Sequence, residues 1–248
     1  MSGISNDQMA DASDLLWAIG EDLHALAVLH DREPNAELLE ALRETEFPDS
    51  LALILRSEEA GRARALFRQF FSELDDDIGE EALDALSAVY ADVYLHYACR
   101  AAPTESPWTD EDGLDRQASM FEVRQFYRKR DLAVQNWSER PDDHIVNELL
   151  FLAHLMAADD ASALGEAASF LDAHPLRWIG DFSQRVAENS GSTYFTGVAV
   201  LTSAYLVELR GLLAKMGVVA VGPPCRPHCA EGEQGIEKGC GNLIGEMT

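Results

Sequence analysis

The stretch ERPDDHIVNELLFL, residues 139–152, changes from polar residues and a proline to an apolar pattern of helical spacing. The apolar residues that share one face of such a helix are Ile145, Leu149, Leu152 and Met156. Pro141 fits the first helical turn, because the N–H that proline lacks would have no partner there. Asp142 and Asp143 would then lie at the positive end of the helix dipole. The stretch therefore predicts an amphipathic helix over about 141–158.

The same spacing of three and four continues on both sides and predicts helices through nearly the whole chain. Pro48 fits the first position of one of them. The other segments with helical periodicity are residues 11–30, 35–45, 59–74, 80–98, 114–129, 160–172, 175–188 and 193–216. No segment shows the sustained apolar–polar alternation of a half-buried strand. The sequence predicts an all-α fold, a single-domain helical bundle.

Two breaks and a tail divide the pattern. Residues 99–113 contain two prolines among small and polar residues, and residues 130–140 form a second break with the character of a hinge-like linker. From Gly217 onward the chain is rich in glycine, proline and cysteine and has little periodicity. We expect a helical domain over 1–216 and a separate C-terminal tail over 217–248.

Composition excludes some classes of function. The hydrophobic fraction of 47% is too high for a disordered chain, and the formal net charge of −25 repels nucleic acid and anionic membranes while it attracts basic partners. An acidic surface also suits a high-salt cytoplasm, and that alternative stays open. The N-terminus lacks the features of a signal peptide, and charged residues interrupt the late apolar stretch 194–222. We expect a cytoplasmic protein without stable membrane insertion and without nucleic-acid binding.

The adjacent Asp143 and His144 raise the question of acid–base catalysis. A catalytic site would need a nucleophile or metal beside them, and no motif of a known nucleophile, zinc protease or phosphate loop is present. A hydrolase therefore ranks last, and we expect no enzymatic activity. Carboxylates at a helix start can instead hold arginines, and a nearby apolar groove can take an amphipathic peptide.

The order of five motifs resembles the TorD/DmsD family of redox-enzyme maturation chaperones, which includes the NarJ-like proteins. These motifs are PTESPW (103–108), VRQFYRKRDL (123–132), RPDDHIVNELLFLAHLM (140–156), HPLRWIGDFSQRV (174–186) and YFTGVAVLTSAYL (194–206). The resemblance covers about residues 80–210. It implies a cytoplasmic chaperone that binds the twin-arginine signal peptide of a molybdopterin-containing oxidoreductase subunit. Such a chaperone holds back export until the cofactor is inserted.

The resemblance also implies which residues bind the peptide. Carried over by position, they are Glu105, Ser106, Trp108, Pro141, Asp143 and His144, with Tyr94 and Tyr97 as candidates for the groove wall. Tyr94 and Tyr97 fit the core better than the groove, and Trp108 also fits the edge of the core. Arg140 departs from the family pattern, and its charge would oppose arginine recognition unless it pairs with Glu139 or Asp142.

The tail contains soft and borderline metal ligands. Cys225, His228, Cys229 and Cys240 form the pattern C-x2-H-C-x10-C, which suits a tetrahedral zinc site. Reduced thiols in a disordered tail and a disulfide are the alternatives. A metal- or redox-responsive regulator that acts through this tail is therefore the second hypothesis for function. The oligomeric state also stays open between a monomer and a dimer that exchanges helices at the 130–140 linker.

Overall fold

The computed structural model describes residues 6–96, 98–158, 160–220 and 241–242, with side chains left out for 6–11, 161 and 241–242. The described part is mainly helical and has only two very short strands, which confirms the all-α prediction. Its α-helices are α1 (Asn6–Asp31), α2 (Ala36–Glu44), α3 (Glu58–Glu73), α4 (Glu80–Tyr90), α5 (Ser106–Thr109), α6 (Ala118–Lys129), α7 (Ile145–Ala157), α8 (Ala161–Ala173), α9 (Ile179–Asn189) and α10 (Thr193–Lys215). A π-helical turn (Ala91–Leu95) continues α4, and a 3-10 turn (Pro175–Arg177) precedes α9. Leu132–Ala133 pairs in parallel with Gly241–Asn242.

The core lies between the long helices. Helix α1 packs against α7, and α10 packs against both α3 and α9. Helix α10 is long and apolar enough to cross a membrane, but 61% of its most apolar window is buried inside the protein. This agrees with the expectation of a buried core helix. Trp178 and Phe182 are fully buried, and Cys99 is buried as well.

The prediction of a helix that begins at Pro48 is wrong, because the segment between α2 and α3 is not helical. Residues 52 and 53 donate their backbone N–H groups to the carboxylate of Asp22, at 3.1 Å each. Residues 56 and 57 donate theirs to the carboxylate of Glu208, at 2.8–2.9 Å. These two carboxylates come from α1 and α10. They hold the segment in an irregular path, because they take the donors that a helix would need.

The start of α7 corrects a second prediction. The helix begins at Ile145 rather than at Pro141, because a ring nitrogen of His144 caps it by accepting the backbone N–H two residues further on, at 3.2 Å. Asp142 and Asp143 therefore precede the helix, and the predicted place for them in its first turn is wrong. Their side chains are instead directed to other parts of the fold.

Candidate functional site

The loop before α5 and the loop before α7 pair with each other. The backbone N–H of Glu105 donates to the carbonyl oxygen of Asp143 at 2.9 Å, and that of Ile145 donates to the carbonyl oxygen of Pro103 at 2.9 Å. Together they form a short antiparallel bridge. The two elements that the resemblance assigned to peptide binding are therefore neighbours in the structure, although 37 residues separate Ser106 from Asp143 in the chain.

Asp143 is fully buried and its carboxylate is held by Ser106. One oxygen, Oδ2, accepts the backbone N–H of Ser106 at 2.9 Å and its hydroxyl at 2.5 Å. The same hydroxyl oxygen accepts the backbone N–H of Gln117 at 3.0 Å. The other carboxylate oxygen, Oδ1, is buried without a hydrogen-bond partner among the described residues. Burial raises the pKa of Asp143 to about 6, although both hydrogen bonds from Ser106 act to lower it.

Glu105 is also fully buried, and its carboxylate is directed toward α8 and the 3-10 turn. Oε2 lies 2.8 Å from Nδ1 of His174, and Oε1 lies 3.4 Å from a guanidinium nitrogen of Arg177. The side chain therefore ties the loop before α5 to the junction between α8 and α9. Neither Glu105 nor Asp143 presents its carboxylate to solvent.

Glu148, on α7, is a third buried carboxyl group that the sequence did not single out as a site residue. Its Oε2 accepts the indole N–H of Trp178 at 3.3 Å. Burial raises the pKa of Glu148 well above its usual value, and the nearby charges of Glu105 and Asp143 raise it further. Burial therefore favours the neutral form of Glu148, because the charged form would be desolvated and would face like charges.

Asp142 is paired with Arg124 of α6. The guanidinium contacts the carboxylate through two nitrogens, at 2.7 Å and 3.1 Å, and this pairing raises the pKa of Arg124. The guanidinium also lies over the rings of Phe121 and Trp137, at 5.3 Å and 5.2 Å from their centroids. The hydroxyl of Tyr127 donates to the carbonyl oxygen of Asp142 at 2.9 Å. Asp142 thus has a structural partner on the protein itself.

A cleft of about 360 Å³ lies beside the paired loops. Its lining residues are Tyr90, Tyr94, Leu95, Pro103, Gln135, Asn136, Glu139, Arg140, Pro141 and His144. Leu95 is 57% exposed on one wall, and the carboxylate-bearing Glu139 is exposed on another. Of the residues assigned by resemblance, Tyr94, Pro141 and His144 line the cleft, whereas Glu105, Ser106 and Asp143 lie in the interior and fix the loops that form it.

Tyr94 belongs to the core as well as to the cleft. Its side chain is buried, and its hydroxyl lies 2.7 Å from Nδ1 of His30. Burial lowers the pKa of His30 to about 3, so this histidine is neutral. Trp108 is half-buried at the edge of the core, and its indole N–H donates to the carbonyl oxygen of Ala102 at 2.9 Å. These contacts give Tyr94 and Trp108 structural roles beside any contact with a peptide.

Arg140 has a different partner from the two that the sequence suggested. Its guanidinium lines the cleft and forms an ion pair with Asp31, at the end of α1. Neither Glu139 nor Asp142 is its partner, because Asp142 is taken by Arg124 and α1 places the carboxylate of Asp31 against Arg140 at the edge of the cleft.

Some predicted residues lie outside the described part of the chain. They are Tyr97 and the four tail residues Cys225, His228, Cys229 and Cys240. Within the described ranges, no group of three or more histidine, cysteine, aspartate or glutamate side chains is arranged to hold a metal ion. The zinc site in the tail stays a prediction.

Residues 57–184 match the family model described as nitrate reductase delta subunit. Among curated proteins, the chain is similar to the chaperone protein TorD of Shewanella pealeana, with 26% identity over 190 residues, which is 68% of this chain and 84% of that protein. It is also similar to the chaperone protein TorD of Vibrio cholerae serotype O1, with 26% identity over 138 residues, which is 52% of this chain and 62% of that protein.

The family match includes both paired loops, the cleft beside them, and helices α3 to α8. It agrees with the resemblance that the sequence motifs carry. The relatives bear the name of a chaperone rather than that of an enzyme. The chain belongs to the nitrate reductase delta subunit family, the group that contains the TorD-type chaperones.

Proposed function

We propose that this protein is a cytoplasmic chaperone for the maturation of a molybdopterin-containing oxidoreductase subunit. It binds the twin-arginine signal peptide of that subunit in the cleft beside the paired loops, and it holds back export until the cofactor is inserted. One observation carries the proposal: the two motifs that the resemblance assigns to peptide binding, 103–106 and 141–144, are joined beside an open cleft. The similarity to TorD chaperones supports the same role.

The chemistry of the cleft suits such a peptide. A twin-arginine leader offers guanidinium groups followed by an apolar helix. The cleft offers the carboxylate of Glu139 and the apolar surfaces of Tyr90 and Leu95. The net charge of −25 adds a long-range field that attracts a basic peptide and speeds its association. Recognition then combines charge pairing at one end with apolar burial at the other.

In this proposal the buried carboxyl groups act on the peptide indirectly. Ser106 and Asp143 lock the two loops together, and Glu105 anchors them to His174. This arrangement fixes Pro141, at the cleft wall, without using a solvent-facing carboxylate. A rigid cleft loses less conformational entropy on binding than one formed by free loops.

Binding of a synthetic peptide tests the proposal. The probe is a fluorescein-labelled peptide with two consecutive arginines followed by about twelve leucine and alanine residues, titrated by fluorescence anisotropy. Leu95→Asp places a charge on the apolar wall and should weaken binding by about tenfold, or about 1.4 kcal/mol. Ile54→Asp is the matched control, because Ile54 is 70% exposed and lines a different groove, between α1 and α10.

The controls separate the possible results. A peptide with both arginines replaced by glutamine should bind much more weakly than the probe. If the wild-type protein does not distinguish the two peptides, or if Leu95→Asp and Ile54→Asp bind equally well, the cleft is not the site of leader recognition.

Helix exchange at the 130–140 linker stays a separate prediction. Analytical ultracentrifugation of the full chain across a range of concentrations decides between a monomer and a dimer.

A further inference from the structure

The end of α1 gathers negative charge beside the cleft. The helix ends at Asp31, where its last carbonyl groups give it a partial negative charge, and Glu33 follows two residues later. One of these carbonyl oxygens, that of Asp31, accepts the hydroxyl of the cleft residue Tyr90 at 2.7 Å. The end of the helix is therefore attached to the cleft wall and attracts cations.

Two guanidinium groups of the protein's own chain already contact Asp31, and the exposed one, that of Arg32, lies 3.4 Å from its carboxylate. The guanidinium of Arg140 forms part of the cleft lining and pairs with the carboxylate of Asp31. Both side chains stay accessible, with 31% of Arg140 and 21% of Asp31 exposed. Asp142 differs, because its carboxylate is 3% exposed and is held by Arg124 through two hydrogen bonds. Asp31 is thus a partly exposed carboxylate that an incoming arginine can reach, and Arg140 already pairs with it.

We propose that Asp31 is a guanidinium subsite at the edge of the peptide-binding cleft, and that Arg140, which lines the cleft, occupies this subsite in the free protein. On binding, one arginine of the leader takes the carboxylate of Asp31 and Arg140 moves aside. This inference rests on the proposed function and extends it, because it names Asp31 as a carboxylate that binds an arginine of the leader.

The exchange is physically reasonable because it replaces like with like. A part-exposed ion pair contributes little net stability, so an incoming guanidinium displaces Arg140 at small cost. A peptide without an arginine at this position would leave Arg140 in place and would then meet a wall that carries a positive charge. Arg140 would therefore act as a selectivity device as well as a competitor.

Three variants test the exchange with the arginine–leucine probe described above. Arg140→Ala removes the competitor and should strengthen binding by about threefold, the scale of a part-exposed ion pair. Asp31→Asn removes the subsite and should weaken binding by about tenfold. The double variant should bind more weakly than Arg140→Ala, because it lacks the subsite, and no more weakly than Asp31→Asn, because it also lacks the positive charge that Arg140 would leave unpaired beside the peptide.

A matched pair elsewhere controls for the general loss of charge. Arg210 and Asp172 form an ion pair of the same kind between α10 and α8, at 2.8 Å and 2.9 Å. Arg210→Ala and Asp172→Asn change the net charge of the protein as the test variants do. They should leave the affinity for the probe at the wild-type value.

The outcomes of this inference and of the proposed function are distinguishable. If the wild-type protein binds the probe and the affinities of Asp31→Asn and Arg140→Ala equal those of their controls, the subsite is refuted and the chaperone proposal stands. If the wild-type protein does not bind the probe at all, both fail. Should Asp31→Asn not fold, Arg140→Ala carries the decision alone, since it leaves Asp31 in place.

Discussion

Replacement of the buried Asp143 by asparagine should remove a defined part of the pH dependence of stability. Asparagine keeps a side-chain oxygen that can accept both hydrogen bonds from Ser106, but it has no proton to gain or lose. The change therefore separates the cost of burying a charge from the loss of a loop contact. An alanine would not, because it leaves the donors of Ser106 without their acceptor.

The magnitude follows from the pKa of Asp143, which burial raises from 3.8 to about 6. Between these values the folded protein holds a proton that the unfolded chain has lost, so the free energy of unfolding falls as the pH rises through this window. The full penalty at pH 7.5 is about 3 kcal/mol, and about 1.4 kcal/mol of it arises between about pH 5 and pH 7.5. The raised pKa of Glu148 also makes the free energy of unfolding fall as the pH rises. Asp143→Asn removes a negative charge near Glu148 and therefore reduces this second contribution too.

Urea unfolding followed by far-UV circular dichroism measures this effect at about pH 5 and pH 7.5. The free energy of unfolding at pH 7.5, relative to that at pH 5, should be more positive in Asp143→Asn than in the wild type by at least about 1.4 kcal/mol. Glu111→Gln removes one carboxylate from the exposed surface and should behave like the wild type. If Asp143→Asn also keeps the wild-type pH dependence, the description of Asp143 as a buried group that is costly to ionise is wrong.

Two further predictions concern packing and the loop contact, each measured by urea unfolding at pH 7.5. Gly197→Ala should destabilise the protein by about 1–3 kcal/mol, because a Cβ there would lie 3.2 Å from the ring of Phe67. Gly211→Ala, on the same helix but with open space around it, should stabilise it by about 0.5–1 kcal/mol, and equal effects at both positions would contradict the packing of α10 on α3. Ser106→Ala should cost about 1–3 kcal/mol because it removes a hydroxyl donor from the buried Asp143, and a cost near zero would show that the paired loops do not depend on this contact.

Local periodicity predicted the helices well, and non-local contacts account for the errors. Helix α10 forms where its apolar stripe places it. The segment after Pro48 also carries helix-like apolar residues, yet Asp22 and Glu208, which are distant in sequence, take its backbone donors. The predicted start of α7 was wrong for a related reason, since residues 141–144 pair with a loop that lies far upstream. No reading of a short window contains that information.

The candidate site was predictable in part. The motif order pointed to Glu105 and Asp143, and the structure brings their loops together. The sequence did not show that both carboxylates are buried, because burial depends on which helices pack around them. It also did not give the partner of Arg140, since Asp31 lies at the end of a helix on the other side of the break at 99–113. A sequence shows which residues a motif contains, but only the fold shows which other side chains pair with them, as Asp31 does with Arg140.

The most direct test of the chaperone proposal is to purify the full chain from its native host in gentle buffer and identify the bound proteins by mass spectrometry. We expect a large molybdopterin oxidoreductase subunit that still carries its twin-arginine leader. We also expect that much less of this subunit co-purifies with Leu95→Asp than with the wild type, and that Ile54→Asp retains the wild-type amount. Recovery of no such subunit, or of one whose leader has already been removed, would contradict the proposed chaperone function.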